Sequence, residues 1–145
     1  MGTFIATLLA RIFRPTLRPP IARYSSMEAA CAAVEGQMAY YRLLVDRGEL
    51  NWITNWRQLS AHVEAWLKWD ASGSSDRSPP LGFILSMEGA DPILSPKDVQ
   101  KWYGMGLRIV GPAHYGVSPY AHGTGTVGGL FPPGPDLLKE MPRVG

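Results

Sequence analysis

The sequence predicts an α/β protein of the barrel kind, and one strand–helix–strand unit carries the prediction. An apolar run over 82–85 ends at Glu88, and a second apolar run over 107–110 ends shortly before His114, with a short helical pattern between the two. α/β barrels build their active sites from side chains at the C-terminal ends of parallel strands. We therefore expect Glu88 and His114 to lie on the same rim of a parallel sheet.

Composition and charge narrow the class of protein. The chain has 145 residues, of which 46% are apolar and 18% charged, which is enough for one domain over 1–145 with a core of its own. The net charge of +2 argues against a nucleic-acid partner, which needs clustered Lys and Arg. No apolar run approaches the roughly 18 residues of a membrane span. The N-terminal apolar run precedes its arginines, the reverse of a signal peptide. A single cysteine fits a reduced setting, so we expect a cytoplasmic protein.

The first part of the chain predicts a strand, an irregular loop and a helix. Residues 3–9 are apolar and β-compatible, whereas the prolines of 14–23 exclude regular structure. Ser25 and Glu28 have the spacing of a capping box, and the helix that follows ends at Arg47, before a glycine. Its apolar residues recur every three or four positions and predict one buried face. They are Ala30, Val34, Met38, Tyr41 and Val45.

A second helix is predicted over 55–69, and the reactive side chains on both helices are expected to have no catalytic role. Its apolar face is expected to contain Leu59, Val63, Trp66 and Leu67. His62 and Glu64 are two residues apart, so they point in different directions and cannot hold a metal together. We expect both at the surface. Cys31, the only cysteine, excludes an internal disulfide and is expected to be a small buried core residue.

The last part of the chain predicts a short helix, a long loop and an interrupted helix. The Ser-Pro pair at 95–96 opens a helix that ends at Gly104. The Gly- and Pro-rich run over 112–135 is typical of a functional loop, because long structureless loops are uncommon inside compact domains. A further helix begins over 136–141, and Pro142 is expected to interrupt it and leave a frayed end.

The residues alone indicate half of a catalytic site. A glutamate at a strand end, such as Glu88, can ligate a metal or act as a base, and the alternative is a solvated or helix-capping carboxylate. His114 is either a catalyst or a loop histidine held by a hydrogen bond, and His122 is left unassigned. The glycines over 123–129 lack the Lys and Ser/Thr of a phosphate loop. A catalytic zinc ion needs three protein ligands, and the sequence supplies Glu88 and a few scattered candidates.

Several segments together resemble one known family. They are TFIATLLAR (3–11), QMAYY (37–41), SMEGADPI (86–93), GLRIVGPAHYG (106–116) and GPDLLKEM (134–141). In order and spacing they resemble the membrane (renal) dipeptidase family of zinc metallopeptidases, over nearly all of the chain. The resemblance implies a partial (β/α)8, TIM-type barrel of the metal-dependent hydrolase kind, roughly the second to fourth βα units.

The same resemblance implies a chemistry. The family hydrolyses dipeptides at a binuclear zinc centre, so Zn²⁺ is the implied cofactor and a dipeptide the implied substrate. Glu88 matches the carboxylate that bridges the two zinc ions. His114 matches the catalytic histidine that contacts the substrate carbonyl and helps to stabilise the tetrahedral intermediate. Two cations that share a water can activate it and polarise a carbonyl. A homodimer of the full-length form is left open.

Departures from the family pattern keep alternatives open. The family's His-x-Asp zinc pair lies before this chain, its two further zinc histidines lie after it, and Pro142 and the Phe-Pro-Pro run at 131–133 also differ. A complete barrel needs about 250 residues, so we expect the isolated chain to be an incomplete barrel domain that is unstable or self-associating. The alternative to a zinc dipeptidase is a catalytically inactive fragment or scaffold. An unrelated binding module that uses the Gly/Pro loop is a third hypothesis.

Overall fold

A computed structural model describes residues 3–8, 11–12, 23–73, 75 and 77–144. In chain order its elements are β1 (Thr3–Leu8), β2 (Arg11–Ile12), β3 (Arg23–Tyr24), α1 (Met27–Asp46), β4 (Leu50–Trp52), α2 (Trp56–Ala71), β5 (Leu81–Glu88), a 3-10 turn (Pro96–Asp98), α3 (Val99–Gly104), β6 (Leu107–Gly111) and α4 (Gly134–Val144). The short strands β2 and β3 pair with each other, and the other four strands form one parallel sheet.

Strand β5 is the centre of this sheet. Along one edge it pairs with β1, from Gly82 to Met87. Its other edge is shared, because β4 pairs with its first residues up to Phe83 and β6 pairs with it from Leu85 to Glu88. The outcome is the small parallel sheet of a mixed α/β fold, as the strand–helix–strand pattern predicts. The described residues do not close a barrel, so the (β/α)8 architecture stays a prediction.

The two faces of β5 have different surroundings because successive side chains of a strand alternate. Phe83, Leu85 and Met87 are fully buried and belong to the main core. Their core partners come from β1 and three helices, and include Ala6, Leu8, Ala30, Val34, Met38, Trp102 and Leu137. The opposite face of β5 is therefore the face that carries Ser86 and Glu88.

Helix α2 contacts the beginning of that opposite face and corrects one prediction. His62, expected at the surface, is only 4% exposed. Its ring lies directly over Gly82, where a Cβ atom would overlap it, and its Nδ1 is 3.2 Å from Nδ2 of Asn51. Because the missing side chain of a glycine makes the room, the helical pattern alone could not place this histidine. Glu64 is exposed, as expected.

Helix α1 confirms the predicted buried face with a different cap. Ser26, rather than Ser25, is the N-cap, and its side chain accepts a hydrogen bond from the backbone N–H of Ala29. All five residues of the predicted face are buried or pack against the core. Cys31 is buried, as expected. Burial raises the pKa of its thiol, and the nearby Glu35 carboxylate adds to the rise.

Helix α2 differs from prediction at a second residue, and helix α4 differs at one. Leu67, predicted to lie on the buried face of α2, is 58% exposed. It lies about 100° around the helix from Trp66, and the buried face is centred on His62. Helix α4 continues through Pro142 to Val144, so the predicted interruption is wrong. Pro142 lies in the last turn, where its missing N–H removes one hydrogen bond without ending the helix.

The helix predicted after the Ser-Pro pair at 95–96 is confirmed as far as Gly104, with a 3-10 first turn. The Asp98 carboxylate accepts a hydrogen bond from the backbone N–H of Ser95 at 2.9 Å and so caps that turn. The predictions for residues 9–10 and 13–22 lie outside the described residues. Among the described helices, none combines the length and the apolar character that a membrane crossing requires.

Candidate active site

Glu88 is the last residue of β5 and lies on the face opposite the helical core. Alternation along the strand puts it on the same face as Ser86. Gly89 follows with a φ of +92°, a left-handed conformation that residues with a Cβ adopt only with strain. The chain therefore leaves the sheet immediately after the glutamate. The Glu88 side chain is 44% exposed, so its carboxylate stands in contact with solvent at the C-terminal rim.

His114 reaches the same rim from the neighbouring strand. The register of the sheet places Gly111, the last residue of β6, beside Glu88. Three residues later, Nδ1 of His114 is 2.7 Å from Oε1 of Glu88, and the imidazole is 23% exposed. The distance is that of a charge-assisted hydrogen bond in which the imidazole donates. The expectation that the two residues share one rim is therefore confirmed, while their chemical roles stay predictions.

The ends of β5 and β6 are joined by hydrogen bonds just below the pair. The carbonyl oxygen of Pro112 accepts from the backbone N–H of Ala90 at 3.4 Å and from the hydroxyl of Ser118 at 2.7 Å. The same hydroxyl accepts from the backbone N–H of Tyr120 at 3.2 Å. Because these contacts link the turn after Glu88 to the turn before His114, the two side chains are held on a common framework.

A closed loop after His114 fixes its backbone from the other side. The carbonyl of His114 accepts from the N–H of Thr124 at 3.1 Å, and that of Tyr115 accepts from the N–H of Gly125 at 2.8 Å. At Gly123 a Cβ atom would overlap the carbonyl of His114. Only glycine fits this contact. The Gly-rich stretch, predicted to be a functional loop, thus packs tightly against the histidine of the pair.

The sequence did not single out two residues that flank the pair. Tyr115 packs edge-on against the His114 ring, with 4.3 Å between ring centroids, and is 63% exposed. Asp91 is buried at 3% exposure and lies beneath the turn at Gly89. The available signals were an aromatic residue next to a candidate histidine and an acidic residue just after a strand-end glutamate. Neither pattern is specific without the fold.

His122 is half-buried and has a local structural role. Its Nδ1 is 3.2 Å from the hydroxyl of Thr126, and its ring centroid is 4.8 Å from that of Phe131. A Cβ atom at Gly128 would overlap the ring. These contacts hold the loop in its closed form, so His122 lies within the loop packing and the structure does not bring it to the Glu88–His114 pair.

The residues of the pair fit only part of a metal centre. A carboxylate at an open rim suits Zn²⁺ and can offer one oxygen to each of two cations. Within the described residues, however, no three His, Cys, Asp or Glu side chains are grouped to hold a metal ion, whereas a catalytic zinc ion takes three protein ligands. The described residues alone therefore do not complete such a centre.

Comparison with known proteins supports the fold. No family model matches the chain, and no curated protein matches it. Among solved structures, the chain is similar to the crystal structure of the dipeptidase AC, a metallopeptidase, with a TM-score of 0.65 and 19% sequence identity. The match covers 99% of this chain and 42% of that one, so the chain spans less than half the length of the enzyme it resembles. At this identity the likeness shows a shared fold.

Proposed function

We propose that this chain is the part of a zinc-dependent dipeptidase in which Glu88 is a metal ligand and His114 binds the substrate carbonyl. The observation that carries the proposal is the 2.7 Å contact between the two side chains at the C-terminal rim of a parallel sheet. The fold shared with part of a dipeptidase and the motifs around both residues support it. Glu88 is the proposed bridging carboxylate of a binuclear centre.

The Glu88 carboxylate is partly exposed and keeps one oxygen that can bind a metal ion. His114 contacts Oε1, and among the described residues no hydrogen bond or ion pair reaches the second oxygen. Gly89 turns the backbone away immediately after the glutamate, and the Glu88 side chain stays 44% exposed. When bound, a pair of zinc ions would supply an activated water and polarise the peptide carbonyl. The remaining ligands are proposed to come from other segments of the full protein.

His114 is held so that one ring nitrogen is committed and the other is available. Nδ1 donates to Glu88, which leaves Nε2 for the substrate. In the doubly protonated imidazole Nε2 is a donor, and it can hydrogen-bond to the oxyanion that develops during attack on the carbonyl. The backbone contacts of His114 with the closed loop keep the ring in place before substrate arrives. Pre-organised donors of this kind are a major source of rate acceleration.

The test is hydrolysis of dipeptides by the protein encoded by the full reading frame that contains this chain. A panel of L,L dipeptides and dipeptides with a D-configured C-terminal residue is assayed with and without a zinc chelator. We expect hydrolysis of at least one class, lost with chelator and restored by Zn²⁺. The alternative, a catalytically inactive scaffold, predicts no chelator-sensitive hydrolysis of any member of the panel, and that result would reject the dipeptidase.

A further inference from the structure

Strands β4 and β6 pair with the same edge of β5, β4 along its first half and β6 along its second half. We call the point where β4 ends and β6 begins the exchange. Strand β4 pairs with β5 as far as Trp52 beside Phe83, and the N–H of Ile53 still donates to the carbonyl of Phe83 at 2.8 Å. Strand β6 takes over where Leu107 lies beside Leu85. The register in which β6 begins to pair with β5 fixes the position of every later residue of β6, and of the residues that lead to His114.

The register of β6 shifts by one residue immediately after the exchange. Leu107 lies beside Leu85, but Ile109 lies beside Ser86, so Arg108 is an additional residue in the manner of a β-bulge. Because of the shift, Gly111 rather than Val110 lies beside Glu88. Without it, the end of β6 would move along the sheet by about 3.3 Å, the rise of one strand residue. A displacement of that size exceeds the 2.7 Å that separates Nδ1 of His114 from Oε1 of Glu88.

Arg108 is tied to three carbonyl groups around the shift. Its Nε donates to the carbonyl of Thr54 at 2.7 Å, where the chain leaves β4. Its Nη1 donates to the carbonyls of Tyr103 at 2.8 Å and Leu107 at 2.7 Å. The guanidinium also lies 3.9 Å from the centre of the Tyr103 ring. The side chain therefore connects the end of β4, the end of α3 and the beginning of β6.

A second contact supports the same junction. The indole N–H of Trp52 donates to the carbonyl of Gly106 at 3.3 Å. Gly106 has a φ of +107°, and a Cβ atom there would come within 2.8 Å of the indole ring. The turn that precedes β6 is thus packed against β4 on a glycine. Arg108 completes this junction from the strand side.

We propose that Arg108 is a positioning residue, which stabilises the one-residue shift in β6 and thereby places His114 within hydrogen-bond distance of Glu88. Arg108 does not touch the pair, so it acts through the register of the strand. The planar guanidinium of Arg108 donates hydrogen bonds to several carbonyls at once and stacks on an aromatic ring, whereas a lysine ammonium does not combine these contacts. The inference about position rests on the observed pair, and only its consequence for catalysis rests on the proposed function.

The experiment measures the pair directly by NMR of the imidazole nitrogens at one fixed pH, in the full-length protein without metal or substrate. The signals of His114 are assigned by their loss in His114→Gln. Glu88→Gln supplies the reference for a His114 without its carboxylate partner. We expect Arg108→Met, which keeps an apolar stem but no donors, to move the His114 signals to the positions seen in Glu88→Gln. Wild-type His114 signals in a folded Arg108→Met variant would overturn the proposal.

Two further variants separate position from stability. Ser26→Ala removes the N-cap of α1, a contact that shares no residue with the junction, and we expect it to lower stability while leaving the His114 signals unchanged. If Arg108→Met does not fold, the same measurement is made on Arg108→Lys, because one ammonium group cannot replace the stacked guanidinium. Displaced His114 signals support the proposal, and wild-type signals overturn it. Because no activity is measured, failure of the dipeptidase proposal leaves this result intact.

Discussion

The imidazole of His114 and the carboxylate of Glu88 meet at 2.7 Å although they belong to the ends of two different strands. Their contact is a property of the parallel sheet, because the register between β5 and β6 fixes where both chains leave it. The turn after Glu88 and the closed loop after His114 then hold the two side chains from opposite sides.

The proposed division of roles predicts that His114→Gln separates binding of metal from hydrolysis. The variant loses a pre-organised donor for the oxyanion, and the loss of one such donor lowers kcat by about 10²–10³-fold. It retains the carboxylate of Glu88, so zinc content is expected to stay at the wild-type level. Steady-state kinetics and elemental analysis of the full-length protein check both statements. A loss of zinc that parallels the loss of rate would contradict the assignment.

The closed loop predicts a large difference between two glycines. A Cβ atom at Gly123 would overlap the carbonyl of His114, whereas at Gly129 it meets nothing within 4 Å. We expect Gly123→Ala to cost about 1–3 kcal/mol of unfolding free energy, typical of overpacking, and to displace the His114 imidazole signals. Gly129→Ala is the matched control and should change neither. Urea denaturation measures the unfolding free energy, and NMR measures the His114 signals. Equal effects of the two substitutions would show that the close contact between Gly123 and the His114 carbonyl is unimportant.

Tyr120 predicts a loss of stability at alkaline pH. Its hydroxyl donates to the carbonyl of Ile93 at 2.6 Å in the core, and burial, assisted by Asp98, raises the pKa of Tyr120 to about 12. In the unfolded chain a tyrosine ionises near pH 10. Between these values the unfolded state holds fewer protons than the folded state, so stability falls as pH rises, by about 1.4 kcal/mol per unit.

The control for that prediction is Tyr120→Phe. At neutral pH it should be less stable than wild type by about 1 kcal/mol, because a buried hydrogen bond is lost. Its stability should fall less steeply than that of wild type between pH 10 and 12. Chemical denaturation at several pH values gives both curves, and parallel curves above pH 10 would refute the assigned pKa of Tyr120.

The single cysteine reports on the core between α1 and its neighbours. Burial and the Glu35 carboxylate raise the pKa of the Cys31 thiol, and the reactive species is the thiolate. We expect alkylation by iodoacetamide at pH 8 to be much slower in the folded chain than in urea. Mass spectrometry measures the rate without interference, since Cys31 is the only thiol. Equal rates in the two conditions would mean that the helix–sheet core does not form.

The location of the pair could be predicted from the sequence because it depends on local patterns. Apolar runs define β5 and β6, and the ends of parallel strands meet at one edge of a sheet. Glu88 and His114 follow directly from that rule. The buried face of α1 was predictable for a similar reason, since helical periodicity reports which side is apolar.

Other features depend on tertiary contacts that no local pattern contains. His62 is buried because Gly82, far along the chain, leaves room for its ring. Arg108, at the register shift, donates hydrogen bonds to the carbonyls of Thr54 and Tyr103, and sequence alone could not reveal these contacts. Helix α4 tolerates Pro142 because the residue falls in the last turn, a question of position that propensity does not address.

Zinc stoichiometry of a Glu88 variant tests the proposed role of the pair most directly. The full-length protein, its Glu88→Gln variant and the matched control Glu64→Gln, an exposed glutamate of α2, are dialysed together and analysed for metal. We predict about two zinc ions per chain in wild type and in Glu64→Gln, as a binuclear centre requires, and a loss of metal in Glu88→Gln alone. Wild-type zinc content in a folded Glu88→Gln variant would contradict the assignment of Glu88 as a metal ligand.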